Sequence, residues 1–260
     1  MKKIATVLFD FDGTLSTLRS GWEDVMAPFM KECISGDTQL EPEEEAALNR
    51  EIEDYINDSA GIQTVYQMRW LSETVRRRGW NADVLDEWSY KAEYNRRLLV
   101  QVEERIGLLE KGEARREDYL MKGALPFLKA LQKRGVTMLI ASGTDHPDVL
   151  REAEALGVAG FFRMIAGAPV GKAECSKEKV LAELMDTSGL SAQQLAVIGD
   201  GKVEIGLARQ RGALALGLAS DERMREGVNP MKLVRLQAAG ADWIAGDFQK
   251  MEEWLDRLEL

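Results

Sequence analysis

The chain has 260 residues, of which 45% are apolar and 30% charged, with a formal net charge of -10 at pH 7. That length suffices to bury a core of one or two domains, and the acidic balance argues against a nucleic-acid or anionic-membrane surface, which clustered Lys and Arg would hold. No apolar run approaches the roughly 20 residues of a membrane span, and the opening "MKKIATVLFD" meets a charge too early for a signal sequence, so a cytoplasmic protein is expected. The two cysteines, Cys33 and Cys175, stand apart without a CxxC or Cys/His cluster. Neither a disulfide framework nor a structural zinc site is expected.

Taken in chain order, residues 4–9 form a short β-branched and aromatic run that predicts a strand buried on both faces. Residues 16–122 then read as a helical block. Trp22, Met26, Phe29, Met30 and Cys33 recur at helical spacing, as do Leu48, Ile52 and Ile56, and then Val65, Met68, Leu71 and Val75. The acidic run "EPEEE" at 41–45 reads as a solvated first helical turn. A longer pattern over 83–111 carries Leu85, Trp88, Ala92, Leu99, Val102, Ile106 and Leu109, with Gly112 placed to end it. Further strands are predicted at 136–143, 161–167, 194–200 and 213–220, with a weak last one in "ADWIAG" before a closing helix from about residue 247. Between them lie helical stretches, one entered through Pro147 and one capped by Ser176. Alternating strands and helices imply an α/β fold with a doubly wound parallel sheet: residues 1–15 and 123–260 as the core, interrupted by about a hundred helical residues.

Ligand sites of such sheets lie beyond the carboxyl ends of the strands. Asp10 and Asp12 follow the first strand, Ser142 and Gly143 close the second, and Asp200 follows the fourth, with Glu204 one helical turn on. Lys177 opens the helix before that fourth strand. Two acids at the end of a buried run carry a desolvation cost, which suggests a task. Other signals fail: "GAPVGKA" is one residue short of a P-loop and has Ala173 where Ser or Thr is needed, and "GDGKVEIG" does not match the dinucleotide pattern. His146, the sole histidine, is followed by Pro147 and reads as the start of a helix rather than as part of a nucleophilic dyad.

The ordered set "DFDGT", "IASGT", "CSKEK" and "VIGDGKVE" resembles the four motifs of the haloacid dehalogenase-like hydrolase superfamily. The resemblance implies that Asp10 is a carboxylate nucleophile forming an aspartyl-phosphate, and that Asp12 protonates the leaving alkoxide and later activates water. True dehalogenases of the superfamily lack that second acid, because halide leaves without a proton. Its presence here favours phosphate chemistry. By the same resemblance Ser142, the Gly143 amide and Lys177 hold the phosphoryl oxygens, with Lys172 the alternative lysine. Mg²⁺, which prefers oxygen ligands, is held by Asp10, the carbonyl of Asp12, Asp200 and, through water, Glu204. The insertion at 16–122 matches the position of a mobile helical cap that selects the substrate. Within or beside it Arg19, Gln63, Thr64, Gln67 and Arg69 are candidates for that selection. The implied partner is a small phosphorylated metabolite, a sugar or polyol phosphate in preference to phosphoglycolate or a nucleotide. A phosphomutase of the same superfamily is the alternative reading, and a non-catalytic binding protein a more distant one.

Overall fold

A computed structural model describes residues 4–174, 176–186 and 190–260; Cys175 lies outside them. Six strands are hydrogen-bonded in the order β3-β2-β1-β4-β5-β6, and every pairing is parallel. They are β1 (Thr6–Phe9), β2 (Thr137–Asp145), β3 (Met164–Ala168), β4 (Leu195–Gly199), β5 (Leu214–Leu218) and β6 (Trp243–Ala245). β1 and β4 are buried at every position. Both faces are covered, which is why these strands read as continuous apolar runs rather than as alternation. Phe9 pairs with Ile140 of β2 on one side and Ile198 of β4 on the other, so the strand order reverses at β1. The crevice at that switch point is where open parallel sheets bind ligands.

The expected second strand ends later than its sequence suggested. β2 runs through Ser142, Gly143 and Thr144 to Asp145, and its register against β3 shifts between Ala141 and Asp145. Such an irregularity re-aims side chains locally. The third strand begins at Met164, not at residue 161, since Ala159–Phe161 forms a 3-10 turn.

Two compact units divide the chain, Met1–Ser20 with Arg105–Leu260 and Gly21–Glu104. Residues 16–20 and 105–122 group with the sheet in this division. Their backbones pair directly, Thr17 N–H to the Tyr119 carbonyl and Met121 N–H to that of Leu15. Arg105 Nη1 also donates to the carbonyls of Leu18 (2.6 Å) and Ser20 (2.9 Å). The second unit is helical: α1 (Trp22–Ser35), α2 (Pro42–Ser59), α3 (Thr64–Arg78) and most of α4 (Glu87–Glu110). Met26, Phe29, Met30, Leu48, Ile52, Ile56, Val65, Met68, Leu71 and Val75 are all buried, as their spacing required. α4 departs from expectation. Its buried stripe is Tyr90, Tyr94, Leu98, Val102 and Ile106, while Leu85 precedes the helix and is exposed and Ala92 points to solvent. Two tyrosines supply core area that an aliphatic pattern overlooks, and Tyr90 also accepts a hydrogen bond from the Leu85 amide at 3.2 Å.

In the sheet unit, α5 (Ala124–Lys133), α6 (His146–Ala155), α7 (Ser176–Asp186), α8 (Lys202–Arg211), α9 (Pro230–Ala238) and α10 (Met251–Arg257) cover the strands. Leu8, Leu139 and Val197 face a cluster with Leu181, Ile205, Ala208 and Leu236. Phe9 turns the other way, onto Phe127, which stacks on Phe248 and meets Trp254. No helix among the described residues is long and apolar enough to cross a membrane.

Trp254 is fully buried, with its ring 4.8 to 5.6 Å from those of Trp243, Phe248 and Phe127 and its Nε1 donating to the Asp247 carbonyl at 2.9 Å. Trp254→Ala is therefore expected to destabilise the sheet unit by about 3–5 kcal/mol. Urea denaturation read by circular dichroism checks this; a loss under about 1 kcal/mol would mean that the aromatic cluster is not packed as described.

Candidate active site

The turn that follows β1 is built by convergence on one carbonyl. The amides of Thr14, Leu15 and Ser16 all donate to the oxygen of Phe11, at 3.3, 2.8 and 2.9 Å. Gly13 makes this possible with φ +71°, a conformation that L side chains rarely adopt. A Cβ there would also lie 2.4 Å from Asp200 Oδ2 and 2.9 Å from Glu222 Oε1. The glycine of "DGT" is thus required twice, by its backbone angle and by the close approach of two acids. The Thr14 hydroxyl donates to Asp200 Oδ1 at 3.3 Å, and the Ser220 hydroxyl donates to the Gly13 carbonyl. These bonds tie the first turn to the ends of β4 and β5.

Asp10, Asp200 and Glu204 converge, with carboxylate oxygens all within 4.8 Å of one another. Asp10 is buried and its amide donates to the Ile198 carbonyl at 2.9 Å. Glu204 folds back from the first turn of α8, accepting the Gly201 amide at 2.5 Å and lying where a Cβ on Gly199 would stand. Lys177, buried on α7, places its ammonium 3.1 Å from Asp10 Oδ2 and 2.8 Å from Glu204 Oε2. Lys172 is exposed in the turn beyond β3. A second buried lysine, Lys232, lies 2.6 Å from Asp200 Oδ2 and 2.7 Å from Glu222 Oε1.

The charges in this pocket do not balance on their own. Four carboxylates, Asp10, Asp200, Glu204 and Glu222, face two ammonium groups, which leaves a surplus of two negative charges. At about 4 kcal/mol per unit pair at 4 Å with a protein-like dielectric, that surplus is not negligible. Burial pushes the Asp10 carboxyl well up; Lys177 counters this, and the neighbouring acids Glu204, Asp200 and Asp12 reinforce it. Burial would raise Asp200 as well, but there the Lys232 ammonium outweighs it and holds the group below the usual carboxylate range. Burial would lower Lys177, yet Asp10 and Glu204 keep it above its ordinary value. A divalent cation would restore neutrality, and an all-oxygen donor set in which one or two carboxylates bind directly and water fills other positions suits Mg²⁺. The residues present therefore fit such an ion.

The second acid of the motif has different surroundings. Asp12 Oδ2 accepts from Thr144 Oγ1 at 2.7 Å and from Ser142 Oγ at 3.4 Å. Its Oδ1 is buried without a hydrogen-bond partner among the described residues; the nearest cation is Arg19, with Nε 3.9 Å away. Arg19 itself is engaged by Glu152 Oε1, at 2.9 Å from Nε and 2.6 Å from Nη2, and by Asp148 at 3.3 Å.

The sequence signature of haloacid dehalogenase-like hydrolases matches residues 4–212 of the chain. The chain belongs to that family. No curated protein matches the sequence. As a haloacid dehalogenase-like hydrolase it is similar in fold to solved structures that span its whole length. One is a predicted phosphoglycolate phosphatase from Haemophilus somnus (TM-score 0.66, 17% identity, 98% of this chain and 99% of that one). Another is a predicted phosphatase from Clostridium acetobutylicum (0.64, 18%, 100% of both chains). A third is β-phosphoglucomutase from Clostridium difficile (0.64, 12%, 98% and 97%).

The hydrolase thus brings together Asp10, Asp12, Ser142, Lys177, Asp200 and Glu204, with Gly143 half-buried beside Ser142 in β2. The five substrate-selection candidates fare differently. Arg19 belongs to the sheet unit and is committed to Glu152. Gln63 and Gln67 are buried in the helical unit, Gln67 donating to Ser59 Oγ at 3.1 Å, and Thr64 begins α3 half-buried. Arg69 is exposed, paired with Glu87 at 3.1 Å and lying over the Tyr66 ring. Sequence reasoning missed Thr144, Glu152, Ser220, Glu222 and Lys232. The strand-end rule, applied to β5, would have pointed to Ser220 and Glu222. Lys232 and Glu152 carried no local signal at all.

Burial pushes the Glu152 carboxyl up to about 7, only partly offset by Arg19, and its Oε2 has no partner among the described residues. A carboxyl raised in the folded state holds its proton where the unfolded chain has lost it. Its contribution to stability therefore falls as pH rises from the ordinary glutamate range to about 7, and is flat above. The stability of wild type minus that of Glu152→Gln is expected to decline across this window in denaturation at several pH values. A difference that rises with pH would mean that the Arg19 pairing outweighs burial.

Proposed function

We propose that this hydrolase is a Mg²⁺-dependent phosphatase of small phosphate monoesters, working through an aspartyl-phosphate on Asp10. The observation that carries this reading is the contrast between two neighbouring acids. Asp10 lies among the acids and Lys177, whereas Asp12 is held through one oxygen by Thr144 and Ser142 and keeps the other unbonded. Two carboxylates in different surroundings can divide nucleophilic and acid–base work.

In this reading the Asp10 carboxylate attacks phosphorus in line with the leaving oxygen, and Lys177, with Ser142 and the Gly143 amide, stabilises the charge on the phosphoryl oxygens. Asp12 Oδ1 delivers a proton to the departing alkoxide, which must otherwise leave as a strong base. The same oxygen then takes a proton from the water that attacks the acyl-phosphate. Mg²⁺, held by Asp10, the Asp12 carbonyl and Asp200, with Glu204 acting through water, would screen the repulsion between two anions. The helical insertion, residues 16–122 in the sequence reading, is assigned to substrate selection with Gln63, Thr64, Gln67 and Arg69 as candidates. A sugar or polyol phosphate is the preferred class. The fold likeness to a β-phosphoglucomutase keeps one second reading in play, in which the phosphoryl group returns to another hydroxyl of the substrate.

Asp10→Asn is expected to abolish turnover of a phosphorylated-metabolite panel while leaving the thermal transition intact. A folded, active Asn variant would exclude the covalent route. Chelation with EDTA should silence the enzyme and Mg²⁺ restore it. Asp12→Ala should lose about 10²–10⁴-fold on alkyl phosphates and much less on p-nitrophenyl phosphate, whose leaving group needs no proton. Release of inorganic phosphate in proportion to substrate consumed identifies a phosphatase; isomer formation without free phosphate identifies a mutase.

A further inference from the structure

Lys232 is a buried cation at this edge of the sheet unit, and the proposed reaction gives it no task. Its position is costly twice over. It stands in the first turn of α9, where Asn229 accepts the amides of Met231 and Lys232 and the helix dipole disfavours positive charge. It is also only 7% exposed, so its ammonium has left water. What compensates is complete coordination. An ammonium has three donors and no acceptor, and these meet Asp200 Oδ2 at 2.6 Å, Glu222 Oε1 at 2.7 Å and Ser220 Oγ at 2.9 Å. No donor is left over for a substrate.

The three oxygens come from different segments. Asp200 follows β4, whereas Ser220 and Glu222 follow β5, and the Ser220 hydroxyl passes on to the Gly13 carbonyl in the turn after β1. Asp200 and Glu222 both approach Gly13 closely, so that a single carbon added there would overlap both carboxylates. Asp200 is thus gripped through Oδ2 at 2.6 Å, while its Oδ1 accepts the Thr14 hydroxyl at the longer distance of 3.3 Å.

Resting on the metal reading above, we propose that Lys232 is a positioning residue: a tethered cation that occupies Asp200 Oδ2 and Glu222 Oε1, so that Asp200 presents Oδ1 to the divalent ion. Glu222 belongs to the same device, as the second anion that keeps the ammonium in place. Partners of this kind, one bond behind a ligand, orient it without touching the ion.

Charge and position can be separated by a balanced substitution. Lys232→Met together with Glu222→Gln removes one positive and one negative charge, so the net charge of the cluster is unchanged while the grip on Asp200 is lost. The probe is Mn²⁺ alone, titrated by calorimetry into the full chain without substrate. The wild type is expected to bind one ion, and the double variant, with a cooperative thermal transition, to bind it about tenfold more weakly. Unchanged Mn²⁺ affinity in a folded double variant overturns the proposal. Should that variant fail to fold, Lys232→Arg carries the same test: it keeps the charge, but a planar guanidinium cannot set one nitrogen among three oxygens, and unchanged affinity again overturns the role. A wild type that binds no Mn²⁺ would instead refute the metal reading itself. With p-nitrophenyl phosphate at saturating Mg²⁺, KM should stay within about twofold of wild type, because Lys232 has no donor free for substrate.

Discussion

Buried negative charge organises this protein. Asp10, Asp200, Glu204 and Glu222 are drawn into one region at the carboxyl edge of the sheet, and two lysines from separate helices enter it to meet them. Each lysine is shared between two acids, and for Asp10, Asp200 and Glu222 burial pushes the carboxyl in the opposite direction from the pull of its lysine. Removing one member of such a set leaves its partner charged and unsolvated, which is far more damaging than removing both. The surplus of two negative charges is a feature of the site, not a flaw of packing. In the proposed reaction it is the electrostatic condition for holding a divalent cation next to a group that must approach a phosphate.

That concentration of acids is feasible only because the backbone makes room. Gly13 and Gly199 stand where a β-carbon would overlap the carboxylates of Asp200 and Glu204. The turn after β1 spends three amides on the Phe11 carbonyl, and the Gly13 carbonyl accepts the buried Ser220 hydroxyl. Asp12, two residues from Asp10, has different direct partners. Thr144 and Ser142 bond one of its oxygens, and Arg19 stands off at 3.9 Å, restrained by Glu152 and Asp148. The same residue type thereby acquires two characters within three positions of sequence.

Much of this was legible before any fold was known. The run from Val7 to Phe9 is apolar at every position because parallel strands are covered on both sides, and the acids that follow it could only be at a strand end. Where the reading slipped, the cause was local ambiguity. β2 continues past Gly143 because an irregular register lets polar residues stay in the ladder. On α4 the core stripe runs through Tyr90 and Tyr94 rather than Leu85 and Trp88, since burial there depends on the neighbouring helices and not on apolarity alone. Of the two candidate lysines, Lys177 and not Lys172 meets Asp10, a choice that spacing could rank but not decide.

What the sequence determined by itself was the set of residues bound to strand ends: Asp10, Asp12, Ser142 and Asp200 follow or close predictable apolar runs, with Glu204 one helical turn beyond Asp200, and a strand carries its last residues to the sheet's edge whatever surrounds it. What only the tertiary structure decided was who stands behind them. Thr144 behind Asp12, Glu152 behind Arg19 and Lys232 behind Asp200 act across 132, 133 and 32 positions of chain. Their chemistry comes from distance in space, and a long flexible side chain on an ordinary helix gives no local sign of the oxygen that it will reach.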